Sequence, residues 1–118
     1  MNNDSIYPSI SILGSTGSVG QQAIEVAMQN GIRVNCISAN RNVDLVERQA
    51  RALCVRACAM ADRDAARELK RRLFGTDIDV YVGTDGICEM VSLFIKLHNH
   101  KETFFCFRNI YYHAFSGF

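Results

Sequence analysis

The chain has 118 residues, is 48% hydrophobic and carries a formal net charge of +1. That length suits one domain with a real core, and the near-neutral charge supplies no basic field for nucleic acid. No apolar run approaches the roughly 20 residues needed to cross a bilayer, and residues 1–5 lack the basic and apolar regions of a signal peptide. A cytoplasmic protein with no nucleic-acid or membrane partner is therefore expected.

Residues 1–8 read as a loose leader. Ser9–Leu13 is a short apolar run, read as a buried strand. It enters Gly14-Ser15-Thr16-Gly17-Ser18-Val19-Gly20. Residues 18–30 then read as a helix, with Val19, Ala23, Ile24, Ala27 and Met28 on its core face and Gly31 placed to cap it. A strand, a glycine turn and a helix in that order form a phosphate cradle. The turn offers backbone N–H groups, and the helix start adds the positive end of its dipole. Gly14 permits the sharp exit from the strand. Gly17 has no Cβ, so a diphosphate can approach the backbone, and Gly20 lets helix and strand pack closely. The spacing is G-x-x-G-x-x-G rather than the usual G-x-G-x-x-G. The competing reading is a plain strand-to-helix turn with no ligand.

Residues 33–38 form the second expected strand, followed by the polar turn Ala39-Asn40-Arg41-Asn42. Asn42 is placed as N-cap of a helix over Val43–Leu53, with Val43, Val46, Ala50 and Leu53 inward. A third strand is expected over residues 56–60. Asp62 caps a helix over residues 63–74, with Ala66, Leu69 and Leu73 inward and Lys70-Arg71-Arg72 as its solvated end. A fourth strand covers residues 78–82. The turn Gly83-Thr84-Asp85-Gly86 then leads to a helix from about Ile87. This alternation predicts an α/β fold, a doubly wound parallel sheet with a Rossmann-like nucleotide site beyond the carboxyl ends of its strands. Cys36, Cys54, Cys58, Cys88 and Cys106 read as reduced, mostly buried thiols. Cys54 and Cys58 with His98 and His100 match no compact metal-site spacing, so no metal ligands and no catalytic residues are assigned.

The second turn bears on cofactor choice. NAD-binding versions of such a sheet carry an acid at the end of the second strand to hold the adenosine ribose. Here Ile37-Ser38-Ala39-Asn40-Arg41-Asn42 has none. Arg41 offers a permanent cation suited to a ribose 2′-phosphate, and Asn40, Asn42 and the Ser38 hydroxyl add polar groups. A solvated surface arginine is the alternative reading of Arg41.

Three stretches carry a family resemblance. Ile10-Ser11-Ile12-Leu13-Gly14-Ser15-Thr16-Gly17-Ser18-Val19-Gly20 closely resembles the N-terminal signature of 1-deoxy-D-xylulose 5-phosphate reductoisomerases. Ser38-Ala39-Asn40-Arg41-Asn42-Val43 resembles their second cofactor turn, where Gly stands at the position of Asn40. Ala59-Met60-Ala61-Asp62 through Ala65-Ala66-Arg67-Glu68-Leu69-Lys70 resembles their third strand and helix. The resemblance covers residues 9 to about 91. It implies NADPH as cofactor, held by Thr16, Gly17, Ser18 and Val19 in the first turn and by Asn40, Arg41 and Asn42 in the second. In the family, NADPH and a divalent metal (Mg or Mn) serve the rearrangement and reduction of 1-deoxy-D-xylulose 5-phosphate to 2-C-methyl-D-erythritol 4-phosphate. This is a step of non-mevalonate isoprenoid synthesis, and the family enzyme is a homodimer. Asn40 tolerates a left-handed backbone better than most residues, so the second turn is expected to survive the loss of Gly.

After residue 91 the resemblance stops. Residues 92–118 hold all three histidines, most of the aromatics and one acid, Glu102. Two parts are therefore expected. Residues 1–91 form an NADPH-binding Rossmann-like domain, and residues 92–118 form an aromatic-rich tail of different origin, such as a reading-frame change. That tail is not expected to complete the sheet in the family's manner. The chain reads as the NADPH-binding portion of the reductoisomerase, incomplete and inactive alone. The alternatives are a non-catalytic nucleotide-binding module and the non-functional product of a damaged gene.

Arg41→Ala is expected to weaken NADPH binding by on the order of 1.5–3 kcal/mol, the worth of a charge-assisted phosphate contact, and to leave NADH binding nearly unchanged. Calorimetry with both nucleotides checks this; equal losses would remove the 2′-phosphate role.

Overall fold

Strands and helices alternate along the chain, as the pattern of short apolar runs and longer amphipathic stretches requires. The computed structural model describes residues 9–97 and 103–106. The expected leader and most of the expected tail, including His98, His100 and His113, lie outside the described residues. The elements are β1 (Ser9–Leu13), α1 (Ser18–Gln29), β2 (Arg33–Ala39), α2 (Val43–Leu53), β3 (Ala57–Met60), α3 (Arg63–Arg72), β4 (Asp79–Val82), α4 (Gly83–Leu97) and β5 (Thr103–Cys106). All strand pairs are parallel, in the order β4-β3-β2-β1-β5.

Side-chain alternation along the strands divides the core in two. Ile12, Ile37, Cys58 and Met60 pack under α1, α2 and α3 with Ile24, Ala27, Val46, Ala50, Ala66 and Leu69. Leu13, Cys36, Ala57 and Ala59 lie on the opposite face with Ile87, Met90, Val91 and Phe94 of α4. Small strand residues there let the large residues of α4 sit close. Full burial of each large side chain contributes roughly 1.5–3 kcal/mol. A bulge in β2 keeps the alternation in phase. Ile10 pairs with Val34 but Ser11 pairs with Cys36, so Asn35 is the extra residue. Val34, Ile37 and Ala39 can thus share one face.

From β1 to β4 the strands step in one direction. The chain then returns along α4 to place β5 on the other side of β1. The sheet order therefore reverses beside β1, and a ligand crevice belongs at the carboxyl end of such a reversal. Residues 103–106 fall in the expected tail, yet they form a parallel strand in register with residues 10–13. Thr-Phe-Phe-Cys is β-prone, and β1 would otherwise present an open edge.

Several local expectations change. α4 starts at Gly83 rather than Ile87, so the expected turn is its first turn. Gly83 has φ +78°, which swings the chain from β4 straight into the helix. α4 also passes through residue 91 and ends at Leu97, with Phe94 buried. Val19 and Met28 are exposed at 54% and 57%. The inward stripe of α1 is Gly20, Ile24 and Ala27, because the helix lies over β1 and β2 and leaves its flank uncovered toward β5. Only Cys36 and Cys58 are buried, while Cys54 and Cys106 are exposed and Cys88 is half-buried. Burial, then the charge of Asp79, pushes the Cys58 thiol up to about 12. No helix among the described residues is long and apolar enough to cross a membrane.

The basic end of α3 is more than solvated charge. Arg72 reaches Asp44 and Glu47 on α2 and Glu68 on its own helix, while Arg71 pairs with Glu68 at 2.6 Å. Hydrogen bonds from Arg71 and then Arg72 hold the Glu68 carboxyl down at about 2, against an ordinary 4.5. A carboxyl lowered in the folded state stabilises fully above 4.5, and that contribution vanishes as pH falls through about 2. Glu68→Gln is therefore expected to be less stable than wild type at neutral pH, with the gap closing between about 4.5 and 2. Urea unfolding across that range checks this, and added salt should narrow the gap. A gap independent of pH would refute the ion-pair account.

Candidate nucleotide site

Leu13 pairs with Ser38, so β1 and β2 end side by side and deliver their turns to one edge of the sheet. The first turn is fastened to β2 by its backbone. Gly14 N–H and Ser15 N–H both donate to the Ser38 carbonyl, at 2.8 and 2.9 Å. Two successive amides can meet one oxygen because Gly14 sits at φ +89°. Gly20 then brings α1 hard against the same turn. A Cβ there would lie 2.1 Å from the Gly14 carbonyl oxygen.

Side chains hold the next two carbonyls. Gln49 Nε2 donates to the Ser15 carbonyl at 2.8 Å, and Gln21 Nε2 donates to the Thr16 carbonyl at 2.9 Å. Each peptide is planar and trans, so a held carbonyl aims the following N–H the opposite way. The N–H groups of Thr16, Gly17, Ser18 and Val19 have no acceptor among the described residues. Gly17 is the N-cap of α1 and supplies no capping side chain. Its φ is −73°, and a Cβ on it would meet no atom of the other described residues within 4 Å. Neither backbone conformation nor packing thus requires glycine at 17. An anion approaching the bare N–H groups would require it, and the helix dipole favours that charge.

The second turn lies alongside. Asn40, Arg41 and Asn42 are all exposed. Asn42 caps α2, its Oδ1 accepting from Leu45 N–H at 3.2 Å. Asn40 lends its carbonyl to Asp62 N–H at 2.9 Å. The tolerance of asparagine for a left-handed backbone is not used, because Cys54 is the one non-glycine with positive φ among the described residues. Arg41 makes no ion pair among the described residues, unlike Arg51, Arg67, Arg71 and Arg72. Ser38 Oγ is buried with no hydrogen-bond partner among the described residues. All seven residues singled out from the sequence thus sit on two adjoining turns. Gln49 and Gln21, which shape the first turn, carry no sequence signal of their own. An inward polar residue between Val46 and Ala50 on an apolar helix face was the one available hint.

The described residues bring together no group of three or more His, Cys, Asp or Glu side chains able to hold a metal ion. Cys58 faces the core and Cys54 is the exposed C-cap of α2, so the two do not converge. An apolar groove of about 430 Å³ runs between α1 and β5, lined by Ile10, Val19, Ala23, Val26 and Phe105.

Sheet order, the two turns and the close-packed first helix define a doubly wound α/β domain of the Rossmann-like, dinucleotide-binding type. The chain belongs to the 1-deoxy-D-xylulose 5-phosphate reductoisomerase family, whose model matches residues 10–96. The reductoisomerase of Acetivibrio thermocellus is 44% identical over 84 residues, which are 71% of this chain and 22% of that protein. The Zymomonas mobilis enzyme, solved in complex with NADPH, superposes with a TM-score of 0.66 at 26% identity, over 70% of this chain and 22% of that one. A reductoisomerase solved with NADPH, fosmidomycin and magnesium gives a TM-score of 0.66 at 25% identity, over 72% of this chain and 22% of that one. The chain spans about a fifth of the length of the curated relatives it matches.

The two inner glycines of the first turn are expected to fail differently. Gly20→Ala should cost stability, about 1–3 kcal/mol or more, because the added methyl overlaps backbone that cannot move aside. Gly17→Val should cost at most about 1 kcal/mol, the worth of a poorer N-cap, yet abolish NADPH binding. Urea unfolding and calorimetry on both variants check the pair. Wild-type affinity in a folded Gly17→Val protein would refute the cradle.

Proposed function

We propose that this chain is the NADPH-binding portion of a 1-deoxy-D-xylulose 5-phosphate reductoisomerase. The observation that carries the proposal is that the N–H groups of Thr16, Gly17, Ser18 and Val19 find no acceptor among the described residues, beside a glycine that the packing of those residues does not need. In this reading those groups hold the diphosphate at the start of α1. Arg41, with Asn40 and Asn42, holds the ribose 2′-phosphate, which an acid at the end of β2 would repel. The Ser38 hydroxyl, which has no partner among the described residues at a cost of about 1–3 kcal/mol, sits at the same edge.

NADPH supplies the hydride; the residues of this chain bind and orient its adenosine end and diphosphate. Both turns fall within residues 1–91, the part assigned to nucleotide binding. Residues 92–118 contribute the last turns of α4 and the strand β5. In this reading metal binding and the sugar-phosphate rearrangement belong to the remainder of such an enzyme. A cytoplasmic setting agrees with cysteines that form no disulfide among the described residues.

The 118-residue chain is accordingly expected to bind NADPH and to turn over no 1-deoxy-D-xylulose 5-phosphate in the presence of NADPH and Mg²⁺. Binding energy at the adenosine end cannot replace a positioned metal and substrate at the reacting end. A calorimetric titration and a spectrophotometric assay decide the two halves separately. Absence of NADPH binding would overturn the nucleotide role. NADPH oxidation that disappears in Gly17→Val would show that the chain carries its own active site.

A further inference from the structure

Gln49 is 8% exposed, and its neighbours on the inward face of α2, Val46 and Ala50, are fully buried. A buried carboxamide is costly unless both its ends are bonded. Both ends of Gln49 go to one residue. Ser15 Oγ donates to Gln49 Oε1 at 2.7 Å, and Gln49 Nε2 donates to the Ser15 carbonyl at 2.8 Å. Ser15 immediately precedes Thr16, Gly17, Ser18 and Val19, whose N–H groups have no acceptor among the described residues. The Ser15 carbonyl and the Thr16 N–H belong to one planar trans peptide and point in opposite directions. Gripping that carbonyl from α2 therefore fixes the direction of the first open N–H. The same helix is capped by Asn42, next to Arg41. One rigid element thus carries the second turn and sets the geometry of the first.

We propose that Gln49 is a positioning residue for the nucleotide diphosphate, acting through its two hydrogen bonds to Ser15. The inference rests on the NADPH role proposed above. It assigns Gln49 to the diphosphate subsite alone. Arg41 serves the 2′-phosphate subsite and keeps its place when the grip on Ser15 is lost.

The test compares two ligands on the 118-residue chain: NADPH, which spans both subsites, and adenosine 2′-monophosphate, which has no diphosphate. Gln49→Met keeps the length of the side chain and loses both bonds. Its NADPH dissociation constant should rise at least about tenfold, while that for adenosine 2′-monophosphate stays within about twofold. Gln49→Glu keeps the acceptor for Ser15 Oγ but sets a carboxylate oxygen against the Ser15 carbonyl, so it should lose NADPH at least as severely. It also decides the matter by the same ratio should Gln49→Met fail to fold. Ser15→Ala leaves the carbonyl grip in place and should cost NADPH only about two- to fivefold. A purely structural glutamine would weaken both ligands by one common factor, and that outcome overturns the proposal. So does NADPH affinity within about twofold of wild type in folded Gln49→Met, an outcome that leaves the cofactor role itself standing. A wild-type chain that binds neither ligand overturns the cofactor role, and this inference falls with it.

Discussion

One carbonyl oxygen, that of Ser38, holds the nucleotide edge together. It accepts from Gly14 and Ser15 at 2.8 and 2.9 Å, using both lone pairs on the turn that leaves β1. Because Ser38 is next to the last residue of β2, this pair of bonds fixes the first turn against the start of the second. The positive φ of Gly14 makes the geometry possible. α1 must then begin where the turn ends. It can lie against that turn only because Gly20 presents no Cβ to the Gly14 carbonyl. Position of turn, start of helix and spacing of the two turns are consequences of one fastening.

The same fastening decides which backbone groups remain for a ligand. The first two amides are spent on Ser38, and the next two carbonyls are held by Gln49 and Gln21. What is left is a run of N–H groups facing away from those bonds, at the positive end of a helix. Phosphate binding of this kind depends on backbone direction more than on side-chain identity. The residues around the turn are accordingly small or are braces. Side-chain chemistry enters at the second turn, where Arg41 is free of ion pairs among the described residues while Arg67, Arg71 and Arg72 of α3 are engaged.

Away from the site, the helices are fixed by two different means. α4 is held by apolar packing of large side chains on Ala57 and Ala59. α2 and α3 share an apolar underside and a half-buried ionic seam, in which Arg72 touches Asp44, Glu47 and Glu68. Exposed pairs contribute little singly. Here several meet on one arginine, and they bear on the site because α2 carries both Asn42 and Gln49.

Local chemistry was sufficient to read the alternation of elements, the parallel sheet, the caps at Asn42 and Asp62, the glycine turn and the family from the sequence. A buried strand, an N-cap or a glycine turn is written in a few adjacent residues, so periodicity and residue type reveal it. The face of α1 that is buried, the start of α4 at Gly83 and the bulge at Asn35 were not legible in this way. Each depends on which element lies opposite, and Val19 of α1 looks identical to a core residue until β5 is placed beyond it. The strand at residues 103–106 was hidden because its partner is β1, some ninety residues earlier. Gln49 was hidden for the same reason. A glutamine in a helix acquires meaning only when the fold carries it to Ser15, 34 positions away, and turns its carboxamide onto a peptide plane that no local pattern records.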